Sequence, residues 1–142
     1  MKHKNPGLAV DLILERNEKV LLIKRKDEPY KGEWAFPGGF INYGKETIEQ
    51  TAVRELKEET ALIAELKDIE FLGVASKPDR DPRGHVVAVQ FVVKKAEGEP
   101  KANDDAEEAE WFSLDSVPKL VFDHQETLEK YKAWRRKNDR LQ

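Results

Sequence analysis

Gly38-Gly39-Phe40-Ile41-Asn42-Tyr43-Gly44-Lys45-Glu46-Thr47-Ile48-Glu49-Gln50-Thr51-Ala52-Val53-Arg54-Glu55-Leu56-Lys57-Glu58-Glu59-Thr60-Ala61-Leu62 is the stretch that decides how this chain folds. A glycine loop leads into a run that reads as a helix. Thr47 followed by Gln50 is a capping-box pair, which puts the N-cap at Thr47. Ile48 to Thr60 contain neither Gly nor Pro, and the Ala, Leu, Lys and Glu among them favour the helical state. On a wheel of about 100° per residue, Ile48, Ala52 and Leu56 fall at roughly 0°, 40° and 80° and should face the core. Glu55, Glu58 and Glu59 fall at roughly 340°, 280° and 20° on the same wheel. A solvated acidic face would lie opposite the apolar arc; this one overlaps it. Carboxylates crowded at the edge of a core repel one another and lose hydration. Nearby bases relieve this, as Arg54 does for Glu58 at i,i+4. A hard divalent cation with oxygen ligands relieves it better. The wheel leaves both readings open.

The same stretch resembles the signature of the Nudix hydrolases: a glycine, a glutamate, then Arg-Glu-apolar-x-Glu-Glu-x-Gly-apolar. Glu46, seven residues, then Arg54-Glu55-Leu56-Lys57-Glu58-Glu59 match it in order and spacing. There are two departures. Six residues separate Gly39 from Glu46 where the family has five, so the loop before the helix should bulge near Lys45. Ala61 stands where the family has its last glycine, which puts a Cβ where helices often end in a left-handed residue. Neither change removes a carboxylate.

Composition bounds the rest. The chain has 142 residues, enough for one domain with a real core, and the whole of 1–142 reads as that single domain. With 37% charged and 39% hydrophobic residues it is not a disordered composition. A net charge of −3 argues against non-specific binding to nucleic acid or anionic lipid, so an anionic substrate needs local positive charge or a metal. The absence of cysteine excludes disulfides and thiol chemistry and suits a reducing cytoplasm. The basic start, Met1-Lys2-His3-Lys4, is not followed by a signal-type apolar core, and no apolar run is long enough to span a bilayer.

Before the decisive stretch, Leu8–Glu15 and Lys19–Lys26 read as a hairpin turning at Arg16-Asn17-Glu18. Asp11 interrupts the first apolar run and reads as an edge-facing side chain. Trp34-Ala35-Phe36-Pro37 delivers the chain into Gly38-Gly39, where two glycines let the backbone approach a phosphate or a metal closely. After it, Ile69–Ser76 reads as a strand and Val86–Val93 as a strand buried on both faces. Lys77 to His85 is a charged, turn-rich loop, read either as solvated Asp–Arg pairs or as an anion or sugar gate using Arg80, Arg83 and His85. Trp111–Leu114 reads as the last strand. Asp123 and Glu126 offer a capping box for a final helix, and His124 reads as structural. Leu128, Tyr131 and Trp134 share one face of that helix, for packing on the body or on a second copy in a homodimer.

The resemblance implies an α/β fold, a Nudix-like α/β/α sandwich with a mixed sheet between the acidic helix and the C-terminal helix. It implies Mg²⁺, with Mn²⁺ as a substitute, held by Glu55, Glu58, Glu59 and the Gly38 backbone. Arg54 would orient the glutamates and Glu46 support them. Glu107 or Glu108 would serve as a loop acid near the metals. Arg25, Gly39, Arg80, Arg83 and, stacking on a base, Trp34 would bind a small-molecule nucleotide substrate. Pro78, sixteen positions beyond Leu62, and the run Asp81-Pro82-Arg83-Gly84-His85 are similar to marks of the ADP-ribose pyrophosphatases within the family. The implied reaction is hydrolysis of ADP-ribose to AMP and ribose 5-phosphate. Two other readings stay beside it: a triphosphate pyrophosphohydrolase that cleans the nucleotide pool, and a non-catalytic nucleotide sensor.

Overall fold

Asn17 and Glu18, both at positive φ (54° and 65°), close the tight turn between β1 (Gly7–Arg16) and β2 (Lys19–Arg25). Positive φ at both central residues matches the twist of a two-residue hairpin. The computed structural model describes residues 4–101 and 106–139. After the hairpin come β3 (Trp34–Ala35), β4 (Gly38–Phe40), α1 (Ile48–Thr60), β5 (Ile69–Ala75), β6 (Val86–Val93), β7 (Ala106–Ser113) and α2 (His124–Asp139). The strands run in the order β3-β2-β1-β6-β5, with β4 also paired to β1 and β7 to β2. β1 and β6 are parallel and the other pairs antiparallel, so the sheet is mixed as expected.

Alternation along β1 decides which side each helix covers. Val10, Leu12 and Leu14 pack with Ala52 and Leu56 of α1, together with Phe91 and Val93 of β6. Ile13 points the other way and packs with Val92 of β6 and with Leu128 and Tyr131 of α2. The sheet is thus sandwiched between the two helices. The apolar face of α2 is spent on this body, with Leu128 and Tyr131 only 1% and 3% exposed.

Three readings of the sequence change. Asp11 is not at an edge: β1 lies in the middle of the sheet and Asp11 is buried. The last strand begins at Ala106, five residues before Trp111, and pairs with β2 from Lys19↔Ser113 to Arg25↔Ala106. Its outward glutamates hid the strand, because one face of an antiparallel pair can stay wet. Asp123 gives both carboxylate oxygens to Arg80 rather than to a capping box. Asn103, Asp104 and Asp105, part of the acid-rich run before β7, lie outside the described residues.

Candidate active site

The helix α1 starts where its cap says it should. Thr47 accepts from the Gln50 backbone N–H and the Gln50 side chain accepts from the Thr47 N–H, satisfying donors that a helix start leaves open. The helix ends at Ala61, held left-handed at φ 67°, the conformation for which the family glycine is suited. Between these ends, Glu59 turns into the core edge and is 5% exposed; its Oε1 accepts from the Gly38 N–H at 2.6 Å. Glu55 turns toward Gly39. A Cβ on Gly39 would collide with the Glu55 carboxylate, and one on Gly38 would collide with the Val10 carbonyl. The two glycines are therefore needed for contact distance between β4, β1 and α1.

Arg54 organises the rest of the acids. Its Nη1 donates to Glu55 Oε1 (2.5 Å) and Glu58 Oε2 (2.8 Å). Its Nε and Nη2 donate to the two oxygens of Glu46, at 2.9 and 2.7 Å, and Nη2 also reaches the Phe40 carbonyl. Glu46 further accepts from the Thr51 hydroxyl and the Asn42 N–H. Hydrogen bonding from Arg54, with these two donors, holds the Glu46 carboxyl down to about 2 from its ordinary 4.5. In return Glu46, then Glu55, pushes the Arg54 guanidinium above its usual value.

Glu55, Glu59, Gly38 and Gly39 form one wall of a cavity of about 330 Å³. Arg25, Arg80 and Arg83 line the same cavity. Arg25 lies over the Phe122 ring, 5.1 Å from its centroid, and donates to the Pro29 carbonyl. Arg83 lies over Phe40 at 5.1 Å and is held by Asp81 through Nε and Nη2. Burial alone would raise the Asp81 carboxyl, but these Arg83 hydrogen bonds bring it below its ordinary value. Phe122 sits at φ 56° and Tyr30, edge-on to it, at φ 62°. Bulky residues seldom adopt that conformation, and strain of this kind concentrates at ligand sites.

A second polar cluster adjoins the cavity, with Arg80, Asp11 and His124 in its lining. Arg80, 4% exposed at its side chain, donates from Nε and Nη2 to both oxygens of Asp123, at 3.0 and 2.8 Å. Burial disfavours the charges of both partners, yet their pairing outweighs it: the Asp123 carboxyl is held low and the Arg80 guanidinium high. Asp11 lies beside them, its Oδ2 3.7 Å from Arg80 Nη2 and its Oδ1 3.3 Å from His124 Nε2. His124 Nδ1 accepts from the Phe36 N–H.

The sequence profile of the NUDIX domain family matches residues 5–134. This chain belongs to the Nudix family. It is 53% identical over 131 residues to the ADP-ribose pyrophosphatase of Methanocaldococcus jannaschii, a match covering 92% of this chain and 76% of that one. The crystal structure of a MutT/nudix family protein from Enterococcus faecalis superposes with a TM-score of 0.82 at 37% identity, over 92% of this chain but only 62% of that one. The NUDIX domain of Shewanella oneidensis NrtR, solved with ADP ribose, gives a TM-score of 0.82 at 32% identity, over 92% and 89% of the two chains.

Within this Nudix domain the structure brings Gly38, Gly39, Glu55, Glu59, Arg25, Arg80 and Arg83 to one cavity. Glu58 lies just outside the lining, on Arg54, with its side chain 42% exposed. Trp34 is not part of the wall; it packs edge-on to Phe112 and against the α2-side core. Glu107 and Glu108 stand exposed on β7, away from the lining, so they are strand residues rather than loop acids. His85 reaches the Ser76 carbonyl and is exposed. The sequence reading missed Asp11, Asp81 and His124 as cavity residues, and Asp123 as the partner of Arg80 behind them. One signal was available: a carboxylate inside the apolar run of a central strand needs a partner. Among the described residues no helix is long and apolar enough to cross a membrane.

Proposed function

We propose that this Nudix domain hydrolyses the diphosphate of ADP-ribose, giving AMP and ribose 5-phosphate, with a divalent cation as cofactor. The observation that carries the reading is Glu59, a carboxylate buried at a cavity wall against Gly38 and beside Glu55. The 53% identity to an ADP-ribose pyrophosphatase over nearly the whole chain supports the substrate. The donor set suits a hard ion: carboxylate oxygens beside two glycines without Cβ atoms, in a cavity that arginines also line. Among the described residues no three acids are already drawn into an ion cage, because Arg54 holds Glu55 and Glu58. Glu55, Glu58 and Glu59, with the Gly38 backbone, would hold magnesium or manganese. A bound ion supplies neutralisation of the diphosphate oxygens and a more acidic water.

The chain's own groups do the rest. Arg54 holds and orients Glu55 and Glu58, and Glu46 keeps Arg54 in place. Arg25 and Arg83, which line the same cavity, offer positive charge to the phosphates. Gly39 lets the Glu55 carboxylate lie directly against the β4 backbone.

The test is turnover of ADP-ribose and of a panel of nucleoside triphosphates with Mg²⁺ and with Mn²⁺, read as phosphate released by a coupled phosphatase. ADP-ribose should be the better substrate by at least tenfold in kcat/KM. Preference for a triphosphate would replace the substrate, and binding of ADP-ribose without turnover would make the domain a sensor.

A further inference from the structure

Arg83 is held more fully than a surface arginine needs to be. Its Nε and Nη2 donate to the two oxygens of Asp81, at 3.1 and 2.8 Å, and its backbone N–H donates to Asp81 Oδ1 at 2.9 Å. The Phe40 and Phe122 ring centroids lie 5.1 and 5.8 Å from its Cζ, both within reach of a cation–π contact. Among the described residues its Nη1 donates no hydrogen bond.

The pair is asymmetric. The Asp81 side chain is 2% exposed and that of Arg83 is 43% exposed. A pair that only decorates a surface loop leaves both partners wet and contributes little. Here the carboxylate has been taken out of water, which is costly. All of its hydrogen bonds go to one residue, whose guanidinium stays accessible in the cavity lining. A guanidinium carries its N–H donors in a rigid planar fork. Asp81 takes the edge formed by Nε and Nη2, which leaves the end formed by Nη1 and Nη2. That end matches two oxygens of a phosphate.

We propose that Asp81 is a positioning residue: by holding one edge of Arg83, it presets Nη1 and Nη2 to grip a phosphate group of the nucleotide through two hydrogen bonds. The inference rests on the nucleotide reading above, but not on turnover. It differs in sign from the effect of charge alone. Asp81 is an anion beside an anion's site, so Coulomb's law says that neutralising it tightens a phosphate ligand. As a positioning residue, its neutralisation loosens that ligand, because a side chain that must be ordered on binding costs affinity.

Calorimetric titration of the full chain with ADP and with adenosine, in EDTA so that neither hydrolysis nor a metal contributes, reads this sign. Asp81→Asn keeps the shape but sets an amide NH₂ against the guanidinium. It should weaken ADP by about fivefold or more. Adenosine, which has no phosphate, should bind wild type and variant alike, or neither. Arg83→Lys keeps the charge and loses the fork, and by itself should weaken ADP by about fivefold or more. The double variant should be no more than about twofold weaker than the worse single one, since both changes remove the same grip. Arg83 is accessible, so Arg83→Lys tests the grip even where Asp81→Asn folds poorly. Unchanged or tighter ADP binding by Asp81→Asn, equal weakening of adenosine, wild-type affinity in Arg83→Lys, additive losses in the double variant, or no binding of ADP by wild type overturns the role. Because no turnover is measured, loss of the ADP-ribose activity assignment and loss of the Asp81 role are distinguishable.

Discussion

Two arginines are each shared among carboxylates and are built in opposite ways: Arg80 lines the cavity, and Arg54 holds Glu55, which lines it. Arg54 draws its partners from one segment, residues 40 to 58, and keeps its side chain 24% exposed. Arg80 joins β1, the loop before β6 and the start of α2, and is 4% exposed. The first cluster follows from helix geometry, in which residues four apart are neighbours. The second exists only once three segments have packed. In the first every guanidinium N–H meets an acceptor, whereas the second leaves Asp11 Oδ2 without a hydrogen bond. A wet, local cluster can rearrange around an ion, and a buried, long-range one is a fixed wall.

The largest effect should come from the acids that the first cluster organises. Glu59→Gln retains an oxygen for the Gly38 N–H but removes the charge, and turnover of ADP-ribose should fall about a thousandfold. The thermal midpoint should stay near wild type. A large loss of stability instead would move Glu59 from chemistry to structure and break the contrast with Arg80.

The contrast itself is sharpened by two matched variants. Arg80→Met leaves Asp11 and Asp123 buried without their cation and should cost about 3–5 kcal/mol in denaturant unfolding. Arg54→Met, at a site where water can take over, should cost about 1 kcal/mol or less. Its turnover should nevertheless fall by more than tenfold, since Glu55 and Glu58 lose their guide. Equal stability losses for the two would mean that burial does not separate the clusters.

The smallest effect is on acid stability. Glu46, Asp81 and Asp123 are all held below their ordinary values in the folded chain. The stability that they contribute is therefore present above the unfolded carboxyl values and is lost as pH falls through the folded ones. For Glu46 that window runs from 4.5 down to about 2. Melting temperature against pH should fall through it in wild type and fall less steeply in Arg54→Met. Asp81 and Asp123 keep their own partners in that variant, so part of the slope should remain.

The site was unevenly legible. The cap at Thr47, the span of α1 and the inward turn of Glu59 were readable because each depends on spacings of three to four residues. The strand β7 was only half readable: Glu107, Glu108 and Glu110 resemble a solvated turn until β2 is placed beside them. Trp34 is apolar enough for either a core or a base platform, and packing on Phe112 decided for the core.

By itself the sequence determined the hairpin, the capped acidic helix and the placing of three carboxylates on the margin of its apolar arc. These are periodic features, and backbone geometry converts period into position. Only tertiary structure decided that Arg80 meets Asp123 across 43 positions, that His124 meets the Phe36 backbone across 88, and that Asp11 lies between them with an oxygen unclaimed. No local spacing encodes those meetings. They follow from strand order, which sets β1 beside β6 and brings the head of α2 over their starts.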